Sequence, residues 1–512
     1  MATSQVRTRR PHAGASVVGN AAPAAQRGAA QDDELDQLLA SIGLMFPTGV
    51  VSPVAGPVSL SPYQAAARLL DWRQLVLLDH SSSGTTTGRY SYVSADPFLV
   101  LRSRSRRCEL AGPDGSVTIA TDPLILLDRL LQRYAVPRQP ELPALVGGAI
   151  GYFGYDLGRL FERWPAIASD EGVPDLHVGF YDWVLAADHH TGQQWLISTG
   201  LPRGSEPDAR ARWHELQACL VQTRPPPPAN GTPAKVRLRS NVGRDTHLAK
   251  VRRAKEYIAA GDIYQVNLSH RLEGEWAGPC WPLYEHLRAA SPVPYGAYLA
   301  LDDCTVLSAS PERFLRFDGR NVETRPIKGT LPRGTTASQD HALSLQLARS
   351  GKDRAENLMI VDLLRNDLGK VCQVGTIQVP ELFGLEGYAS VWHLVSTVRG
   401  TLRSDLTAVD LLRACFPGGS VTGCPKIRAM EIIEELEPVR RGVYCGAIGY
   451  LSFTGDMDTS ITIRTLVARD RRIYLQVGGA VVADSDPQAE YLETLAKGQA
   501  VVRAIGAGLD EW

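Results

Sequence analysis

A chain of 512 residues with 44% hydrophobic and 21% charged residues can bury one very large core or two to three ordinary ones. Its formal net charge of −1 argues against a surface that binds nucleic acid or an anionic membrane as a whole. No run of 18 or more apolar residues exists, so no membrane span is expected. The eight cysteines lack metal-ligand spacing and are typical of reduced, buried thiols in a cytoplasmic protein.

The amino-terminal half is predicted to consist of a tail and a β-rich region. Residues 1–45 are predicted to be a disordered amino-terminal tail. After the charged and alanine-rich first 30 residues, DDELDQLLASIGLMF (32–46) is expected to form one short amphipathic helix. Short β-rich runs alternate with turns over 46–222. The glycine-dense GGAIGYFGYD (147–156) is expected to be a close-packed strand or turn within that region.

The carboxy-terminal half is predicted to mix helices and strands. TRPPPPANGTPA (223–234) is the clearest linker, because four consecutive prolines favour an extended backbone. The remainder, 235–512, is predicted to contain helices at 245–261, 340–369, 426–437 and 486–506, and strands at 443–453, 459–469 and 472–484.

Two of the predicted helices carry acidic pairs at helical spacing. Glu490 and Glu493 stand three residues apart, so both carboxylates lie on one face, with Lys497 four residues further on. Asp353 and Glu356 repeat that spacing on another helix. Together the two pairs can supply the hard oxygen ligands that Mg²⁺ prefers. The same spacing also occurs on ordinary solvated helix faces, which are more frequent than metal sites. From spacing alone, a metal site and a solvated face therefore both stay open.

A glycine- and hydroxyl-rich segment, FPGGSVTGCPK (416–426), leads directly into a predicted helix. Its backbone N–H groups, together with Ser420, Thr422 and Lys426, can hold an anion at the helix N-terminus. The spacing of glycine and lysine differs from that of a nucleotide-binding P-loop, so nucleotide binding is not expected.

Two features of the last strands also suggest ligand contacts. Gly478 and Gly479 form a glycine pair inside a predicted strand, which indicates either close approach of a ligand or a bulge. Arg464, in TSITIRT, is expected to project from one face of its strand. Its guanidinium there either grips a ligand carboxylate or forms a salt bridge within the sheet.

An acid and an amine follow each other in two neighbouring turns. SASPERF (308–314) places Glu312 after a proline, and ETRPIKGT (323–330) places Lys328 between proline and glycine. Alternating strands and turns can bring the two groups together, although spacing alone leaves a solvated surface lysine equally open.

Eight motifs in unbroken order, spanning about 245–506, resemble those of the chorismate-utilising enzymes. They are GDIYQVNLS, SASPERF, RPIKGT, KDRAENLMIVDLLRNDLG, FPGGSVTGCPK, YCGAIGYLSF, DTSITIRT and EYLETLAK, with weaker matches at GRYSYVSADP and GGAIGYFGYDLG. The resemblance implies an α/β (α+β) fold with two packed, antiparallel-rich β-sheets flanked by helices. It makes 46–222 an amino-terminal region of the anthranilate synthase component I type and 235–512 the chorismate-binding catalytic region.

Two positions favour the branch of this family that aminates chorismate. Members that activate water carry a lysine where this chain has Gln265, which argues against isochorismate or salicylate formation. Members that form anthranilate typically carry alanine where this chain has Lys328, and lysine there is similar to the branch making 4-amino-4-deoxychorismate for 4-aminobenzoate and folate. Anthranilate formation with loss of pyruvate and a non-catalytic protein that binds tryptophan or a partner stay open as alternatives.

In the amination branch, the expected reaction is a transaminase-type amination through a covalent lysine intermediate. Lys328 would add at C2 while the C4 hydroxyl leaves with a proton from Glu312, and ammonia would then add at C4 and expel the lysine. This requires a pKa of the amine well below its ordinary value of about 10.4.

The resemblance further implies a metal ion, substrate contacts and partners. Mg²⁺ is assigned to Glu356, Glu490 and Glu493, with Asp353 acting through water. Substrate contacts are assigned to Arg464, Lys497, Tyr444, Ser420, Gly478 and Gly479. No glutaminase motif occurs, so ammonia is expected from a separate glutamine amidotransferase subunit. Tryptophan is a further possible ligand of the β-rich region, although LLDHSSS (77–83) departs from the family's LLES-like motif.

Overall fold

The computed structural model describes residues 24–47, 49–82, 87–223, 236–389 and 391–509. Its helices are α1 (Ala24–Ser41), α2 (Pro62–Arg68), α3 (Pro123–Arg133), α4 (Glu206–Gln222), α5 (Arg244–Ala259), α6 (Trp281–Ala290), α7 (Ala337–Arg349), α8 (Gly351–Gly369), α9 (Ala408–Cys415), α10 (Lys426–Leu436) and α11 (Pro487–Ala504), with 3₁₀ turns at Tyr155–Leu160 and Gly419–Val421. None of the helices in these described ranges is long and apolar enough to cross a membrane.

The strands are named in chain order. They are β1 (Val54–Pro57), β2 (Val76–Asp79), β3 (Tyr90–Ser94), β4 (Leu99–Arg104), β5 (Arg107–Gly112), β6 (Gly115–Ala120), β7 (Gly148–Phe153), β8 (Leu176–Tyr181), β9 (Trp183–Asp188), β10 (Gln194–Ser198), β11 (Arg237–Ser240), β12 (Gln265–Glu275), β13 (Tyr295–Ala300), β14 (Thr305–Ser310), β15 (Arg313–Phe317), β16 (Asn321–Thr324), β17 (Ile327–Pro332), β18 (Gln378–Gly387), β19 (Val391–Thr401), β20 (Gly423–Cys424), β21 (Ala447–Ser452), β22 (Met457–Ile461), β23 (Thr465–Arg469), β24 (Arg472–Val481) and β25 (Gly508–Leu509).

Within the described residues these strands form two large sheets. Sheet 1 has 13 strands in the order β1-β10-β9-β3-β2-β13-β14-β23-β24-β12-β11-β25, with β20 paired to β12. Sheet 2 has 12 strands in the order β17-β19-β16-β15-β22-β21-β7-β8-β4-β5-β6, with β18 paired to β19. The pairing is antiparallel except between β11 and β25. The predicted α+β fold of two antiparallel-rich sheets flanked by helices is confirmed.

Both halves of the chain contribute strands to both sheets. In sheet 1, β2 from the amino-terminal half pairs with β13 from the carboxy-terminal half. In sheet 2, β7 pairs with β21 in the same way over six residue pairs. The two halves therefore form one folded unit. Of the predicted linker 223–234, Thr223 caps α4, and the residues after it lie outside the described residues.

The two sheets face each other across an apolar core. Tyr92 of sheet 1 meets Tyr450 of sheet 2 in an edge-to-face contact, with ring centroids 5.5 Å apart. Leu299 of sheet 1 and Ile150 of sheet 2 belong to the same cluster of buried side chains. Helices α5 and α10 cover β12 of sheet 1 through another buried cluster, which includes Ile433. These contacts fix the position of sheet 1 relative to sheet 2, and with it the position of the polar side chains at the edges of the sheets.

The last part of the predicted tail belongs to this core. Helix α1 begins at Ala24, and Leu35, Leu39, Ile42 and Leu44 pack into the main cluster with Leu39 fully buried. The expected amphipathic helix is present, but the prediction of disorder up to residue 45 is wrong for the described part. The physical reason is that the apolar face of the helix is covered by the sheets, which a local reading of composition does not reveal. Residues 1–23 lie outside the described residues.

Two other predicted elements are interrupted. The helix expected over 340–369 is broken at Ser350, whose Oγ accepts a hydrogen bond from the N–H of Asp353 and caps α8. The strand expected over 459–469 is broken between Ile461 and Thr465, because β22 lies in sheet 2 and β23 in sheet 1. Both interruptions lie next to candidate site residues.

Replacing Leu39 by alanine tests the packing of α1. We expect Leu39→Ala to lower the free energy of unfolding by about 2–5 kcal/mol, because the side chain is fully buried and its loss leaves a cavity. Gln37→Ala on the exposed side of the same helix is the control and should be close to neutral. Urea unfolding followed by tryptophan fluorescence measures both, and equal midpoints for the two variants would contradict the packing of α1.

Candidate active site

The candidate site lies where the chain passes from one sheet to the other. Glu312 lies in the connection between β14 of sheet 1 and β15 of sheet 2. Arg464 lies in the return connection between β22 of sheet 2 and β23 of sheet 1. The prediction that Arg464 projects from a regular strand is therefore wrong. Its backbone has a φ of +52°, in the left-handed region, and this irregular crossing places it opposite Glu312.

Lys328 lies in a bulge rather than in a free turn. The pairing of β17 with β19 shifts register between Ile327 and Thr330, so Lys328 and Gly329 are looped out of the ladder, and Gly329 has a φ of +83°. Bulges of this kind re-aim a side chain away from its sheet. The half-buried Lys328 Nζ donates a hydrogen bond to the backbone carbonyl of Ser420 at 3.1 Å.

The structure brings the predicted acid and amine together around Ser420. Glu312 is 4% exposed, and its carboxyl group accepts hydrogen bonds from the Ser420 hydroxyl and from the N–H of Ile327. Burial raises the pKa of Glu312 to about 7, against the opposing effects of Ser420 and the Lys328 charge. Burial likewise lowers the pKa of Lys328, although Glu356 partly offsets the effect. An acid that holds its proton near neutrality thus stands beside an amine that loses its proton more easily.

The acidic pair of α11 lies against Gly479 of β24. A Cβ atom built on Gly479 would lie 3.5 Å from Glu490 Oε2, 3.8 Å from Lys497 Nζ and 3.9 Å from Glu493 Oε1. Glu356 of α8 lies close enough to Lys328 and Glu493 to interact with both charges, and burial raises the pKa of Glu356. Three carboxylates from two helices therefore lie near one another beside this strand.

Two oxygens of these carboxylates have no hydrogen-bond partner among the described residues. Glu356 Oε1 and Glu490 Oε2 are buried and accept no hydrogen bond, which is costly for a charged group. Lys352 Nζ lies 3.9 Å from Glu356 Oε1 and 3.6 Å from Glu490 Oε1, and Lys497 Nζ lies 2.7 Å from Glu493 Oε1. The donor chemistry fits a hard cation such as Mg²⁺.

The carboxylates are not already arranged around an ion. In the part of the chain that the structure describes, no group of three or more His, Cys, Asp or Glu side chains is placed to hold a metal. The neighbouring ammonium groups balance the carboxylate charges in this arrangement. Asp353 stands apart from α11, beside the bulge, since a Cβ on Gly329 would lie 3.0 Å from Asp353 Cγ.

Tyr444 and Lys497 lie at the two glycines of the pair. Lys497 Nζ donates a hydrogen bond to the carbonyl of Gly478 at 3.3 Å and lies on the side of the strand that a Cβ on Gly479 would face. Tyr444 is buried, and a Cβ on Gly478 would lie 2.9 Å from its hydroxyl oxygen. Because successive side chains of a strand point to opposite faces, Tyr444 and Lys497 lie on opposite faces of β24. Their contact with a substrate stays a prediction.

The loop 416–426 supplies Ser420 to the site but does not form the predicted anion site. Lys426 Nζ is used inside the loop, where it binds Asp367 Oδ2 at 2.5 Å and the carbonyls of Cys415 and Pro417 at 3.0 Å each. The fully buried Thr422 donates its hydroxyl hydrogen to the carbonyl of Gly418 at 3.1 Å. The prediction for Lys426 and Thr422 is therefore wrong, because these donors stabilise the loop itself.

Two further residues at the site were not predicted as functional. His393 is 1% exposed, its Nδ1 pairs with the Thr330 hydroxyl at 2.8 Å, and its Nε2 has no partner among the described residues. Burial and the Arg464 charge lower the pKa of His393 to about 3, so the ring is neutral. Gln265 is fully buried with both amide atoms unpaired in the described part of the chain. The sequence gives no signal that marks His393, the first residue of HLVST (393–397), as functional. The alternation of side chains along a strand does not distinguish a site residue from a core residue.

The segment predicted as the family's tryptophan motif lies outside this site. Asp79 of LLDHSSS lines a separate cavity of about 340 Å³, together with Tyr295 and Arg313. Its carboxylate accepts hydrogen bonds from Arg288 Nε at 2.5 Å and from the Tyr284 hydroxyl at 3.2 Å. Tryptophan binding in this region stays a prediction.

The chain is similar to known proteins over most of its length. The family of chorismate binding enzymes matches residues 85–503. Aminodeoxychorismate synthase component 1 of Salmonella typhimurium is 44% identical over 457 residues, which cover 88% of this chain and 97% of that protein. Anthranilate synthase component 1 of Thermus thermophilus is 39% identical over 456 residues, which cover 86% of this chain and 98% of that protein.

The fold is also similar to that of a solved relative. The crystal structure of anthranilate synthase component I from Streptococcus pneumoniae superimposes with a TM-score of 0.74 at 33% sequence identity. The superposition covers 82% of this chain and 93% of that one. The fold is therefore shared with a protein of known structure over most of both chains.

The two neighbouring glycines should respond differently to alanine. We expect Gly478→Ala to lower the free energy of unfolding by about 1–3 kcal/mol, because its Cβ would lie 2.5 Å from the carbonyl oxygen of Leu268. The nearest atom to a Cβ on Gly479 is 3.5 Å away, so Gly479→Ala should stay within about 0.5 kcal/mol of the original protein. Urea unfolding of both variants measures this difference, and the reverse order of stability would contradict the placement of β24.

Proposed function

The chain belongs to the family of chorismate binding enzymes, and within that family we propose that it aminates chorismate at C4 to 4-amino-4-deoxychorismate. The observation that carries the proposal is the placement of Lys328 beside Glu312, with the pKa of the amine lowered and that of the acid raised by burial. The higher identity to aminodeoxychorismate synthase component 1 than to anthranilate synthase component 1 supports the same branch. The product is a precursor of 4-aminobenzoate and hence of folate.

Lys328 is the proposed nucleophile. In the first step the lone pair of Nζ forms a bond to C2, the ring double bonds shift, and the C4–O bond breaks. Glu312 gives its proton to the departing hydroxyl, which leaves as water. In the second step ammonia forms a bond to C4, the double bonds shift back, and the C2–N bond to Lys328 breaks. Two successive displacements place the amine on the face that the hydroxyl occupied.

Positive charge near the glycine pair is proposed to bind the dianionic substrate. Arg464 is half-buried, and burial lowers its pKa from a high ordinary value without removing its charge. Lys497 lies beside the Gly478 carbonyl and the exposed backbone of the strand. We assign the substrate carboxylates to these two cations and the remaining contacts to Tyr444 and the Ser420 loop.

Glu356, Glu490 and Glu493 are proposed to hold Mg²⁺. The two unpartnered carboxylate oxygens support this assignment, and Lys352 and Lys497 would release their carboxylates when the ion binds. Bound there, the ion would offset the charge of a substrate carboxylate.

A separate subunit is proposed to supply ammonia. The relatives named component 1 point to a second component, and we propose that it is a glutamine amidotransferase in a cytoplasmic complex.

Anthranilate formation is the second candidate function. Relatives and a solved structure with that name cover most of the chain, at 39% and 33% identity respectively. It would use the same carboxylates and Arg464 but would give Lys328 no covalent role. A non-catalytic protein that only binds tryptophan or a partner is disfavoured, because Lys328, Glu312 and the three metal carboxylates are all present.

Product analysis of Lys328→Ala tests the assignment. We expect the original protein to convert chorismate, Mg²⁺ and ammonium at pH 8 to 4-amino-4-deoxychorismate, with no anthranilate. Lys328→Ala should lose this product or form anthranilate, because ammonia can then reach C2. Chromatography of the products measures both, with Lys352→Ala as a matched control that removes a nearby amine. Anthranilate as the main product of the original protein would contradict the proposed branch.

The pH dependence of the reaction tests Glu312. Since a general acid works only when protonated, kcat/KM should fall as the pH rises through the Glu312 pKa of about 7. Glu312→Gln keeps a hydrogen-bond partner for Ser420 but cannot release a proton, so we expect kcat to drop by about 10²–10⁴ and the alkaline fall to disappear. Rates are measured at constant concentration of neutral ammonia, because its own ionisation changes over this range. An unchanged alkaline fall in Glu312→Gln would rule out this role.

A further inference from the structure

A buried ion pair between Glu437 and Arg441 lies directly behind the candidate site. The side chains are 4% and 1% exposed, and Arg441 Nη2 lies 2.7 Å from Glu437 Oε1. Arg441 Nε donates a second hydrogen bond to Glu437 Oε2 at 2.9 Å. The guanidinium also stacks on Tyr155, 4.8 Å from the ring centroid. Two charges are thus held away from water in a fixed bidentate geometry.

The pair uses its remaining hydrogen bonds to join separate segments of the chain. Arg441 Nη1 donates to the carbonyl of Val421 at 2.9 Å, and Nη2 donates to the carbonyl of Asn267 in β12 at 2.7 Å. Glu437 Oε1 accepts from the N–H and the hydroxyl of Ser269, at 2.8 and 2.9 Å. One ion pair therefore fixes the Ser420 loop against sheet 1.

The ion pair is linked to Lys328 and Glu312 through Ser420 and Val421, which are adjacent in the chain. Val421 follows Ser420, whose carbonyl accepts from Lys328 Nζ and whose hydroxyl binds the Glu312 carboxyl group. The carbonyl of Arg441 itself accepts the N–H of Tyr444 at 3.1 Å. A shift of the pair would therefore move the partners of the amine and the acid and the tyrosine beside Gly478.

Stability alone gives little reason for a pair in this place. Removing two charges from water is costly, and apolar residues of similar volume often replace buried pairs without loss of stability. The Glu437–Arg441 pair instead makes directional hydrogen bonds to the Val421 carbonyl beside Ser420 and to the Asn267 carbonyl and the Ser269 N–H of β12.

We propose that Glu437 and Arg441 are positioning residues that hold Ser420 and Tyr444 in the geometry that Lys328 and Glu312 need for the reaction. The inference rests on the proposed amination for its kinetic test. The pair touches neither Arg464 nor the carboxylates of α8 and α11 among the contacts of the described residues. Its removal should therefore act mainly on the chemical step, with a smaller effect on substrate binding through Tyr444 and the Ser420 loop.

The chain offers a matched control on the same helix. Glu434 is buried, lies on α10 one turn before Glu437, and pairs with the partly buried Arg159. Glu434 Oε1 accepts the N–H of Ala168 at 2.9 Å, so this side chain links α10 to the amino-terminal half. Arg159 also pairs with the buried Asp156 at 2.9 Å, so Glu434→Gln removes a buried charge and leaves Arg159 with a partner.

The kinetic test compares the double variant Glu437→Leu/Arg441→Met with the control Glu434→Gln. Double replacement avoids leaving one buried charge unpaired. We expect the double variant to lose about 100-fold in kcat, which is typical of a small displacement of reacting groups, with KM for chorismate within about threefold of the original. Its alkaline limb should move to lower pH, because a loosened loop admits water and removes part of the burial that raises the pKa of Glu312. The control variant should keep kcat and the limb.

A measurement without substrate separates this inference from the proposed function. Acylation of Lys328 as a function of pH, followed by peptide mass spectrometry, reports the pKa of the amine whatever the reaction is. In Glu437→Leu/Arg441→Met the midpoint should rise toward that of an ordinary lysine, because a loosened loop admits water. Arg441→Lys retains the charge and should give an intermediate midpoint and an intermediate kcat.

The outcomes decide the proposal in each case. One outcome is that the original protein makes no aminated product while the acylation midpoint moves only in the Glu437/Arg441 variant. The proposed function then fails and the positioning role stands. The positioning role is overturned if kcat and the acylation midpoint change no more than in the control variant, or if KM rises in proportion to the loss in kcat/KM. Should Glu437→Leu/Arg441→Met fail to fold, Arg441→Lys provides the same comparisons, with the same results deciding for or against.

Discussion

The pairing of strands from both halves of the chain is the constraint on which the rest of the structure depends. β2 bonds to β13 in one sheet and β7 bonds to β21 in the other, so neither sheet can form from one half alone. The chain must therefore cross repeatedly between two sheets that face each other over an apolar core. Glu312 and Arg464 lie on two of these crossings. The same connectivity that completes the core thus delivers polar groups to one place.

Charge balance explains how so many ionisable groups remain at this place. The carboxylates of Glu356 and Glu490 retain unpartnered oxygens, while nearby amines offset part of their charge. Burial shifts the pKa of Lys328 downwards and that of Glu312 upwards, which favours the neutral form of both. These directions agree with the roles of nucleophile and general acid that we propose for the two groups. A dianionic substrate and a divalent cation would complete the balance together.

The relatives show how one scaffold relates to several chemistries. A solved anthranilate synthase component shares the fold over 82% of this chain, so the sheets by themselves do not decide the product. The bulge in β17 offers a single position from which a side chain reaches the Ser420 loop, and here it carries Lys328. The proposed nucleophile therefore lies on a different element from the Ser420 loop, which Glu437 and Arg441 hold in place.

The sequence by itself determined the family, the resulting two-sheet fold and the residues gathered at the candidate site, because ordered motifs and helical spacing are local properties of the chain. It did not reveal the burial of α1, the crossing that carries Arg464, or the use of Lys426 inside its own loop. It also did not distinguish His393 or the Glu437–Arg441 pair from ordinary strand and helix residues. Those features depend on which distant segments meet, and only the pairing and packing of the sheets decide that.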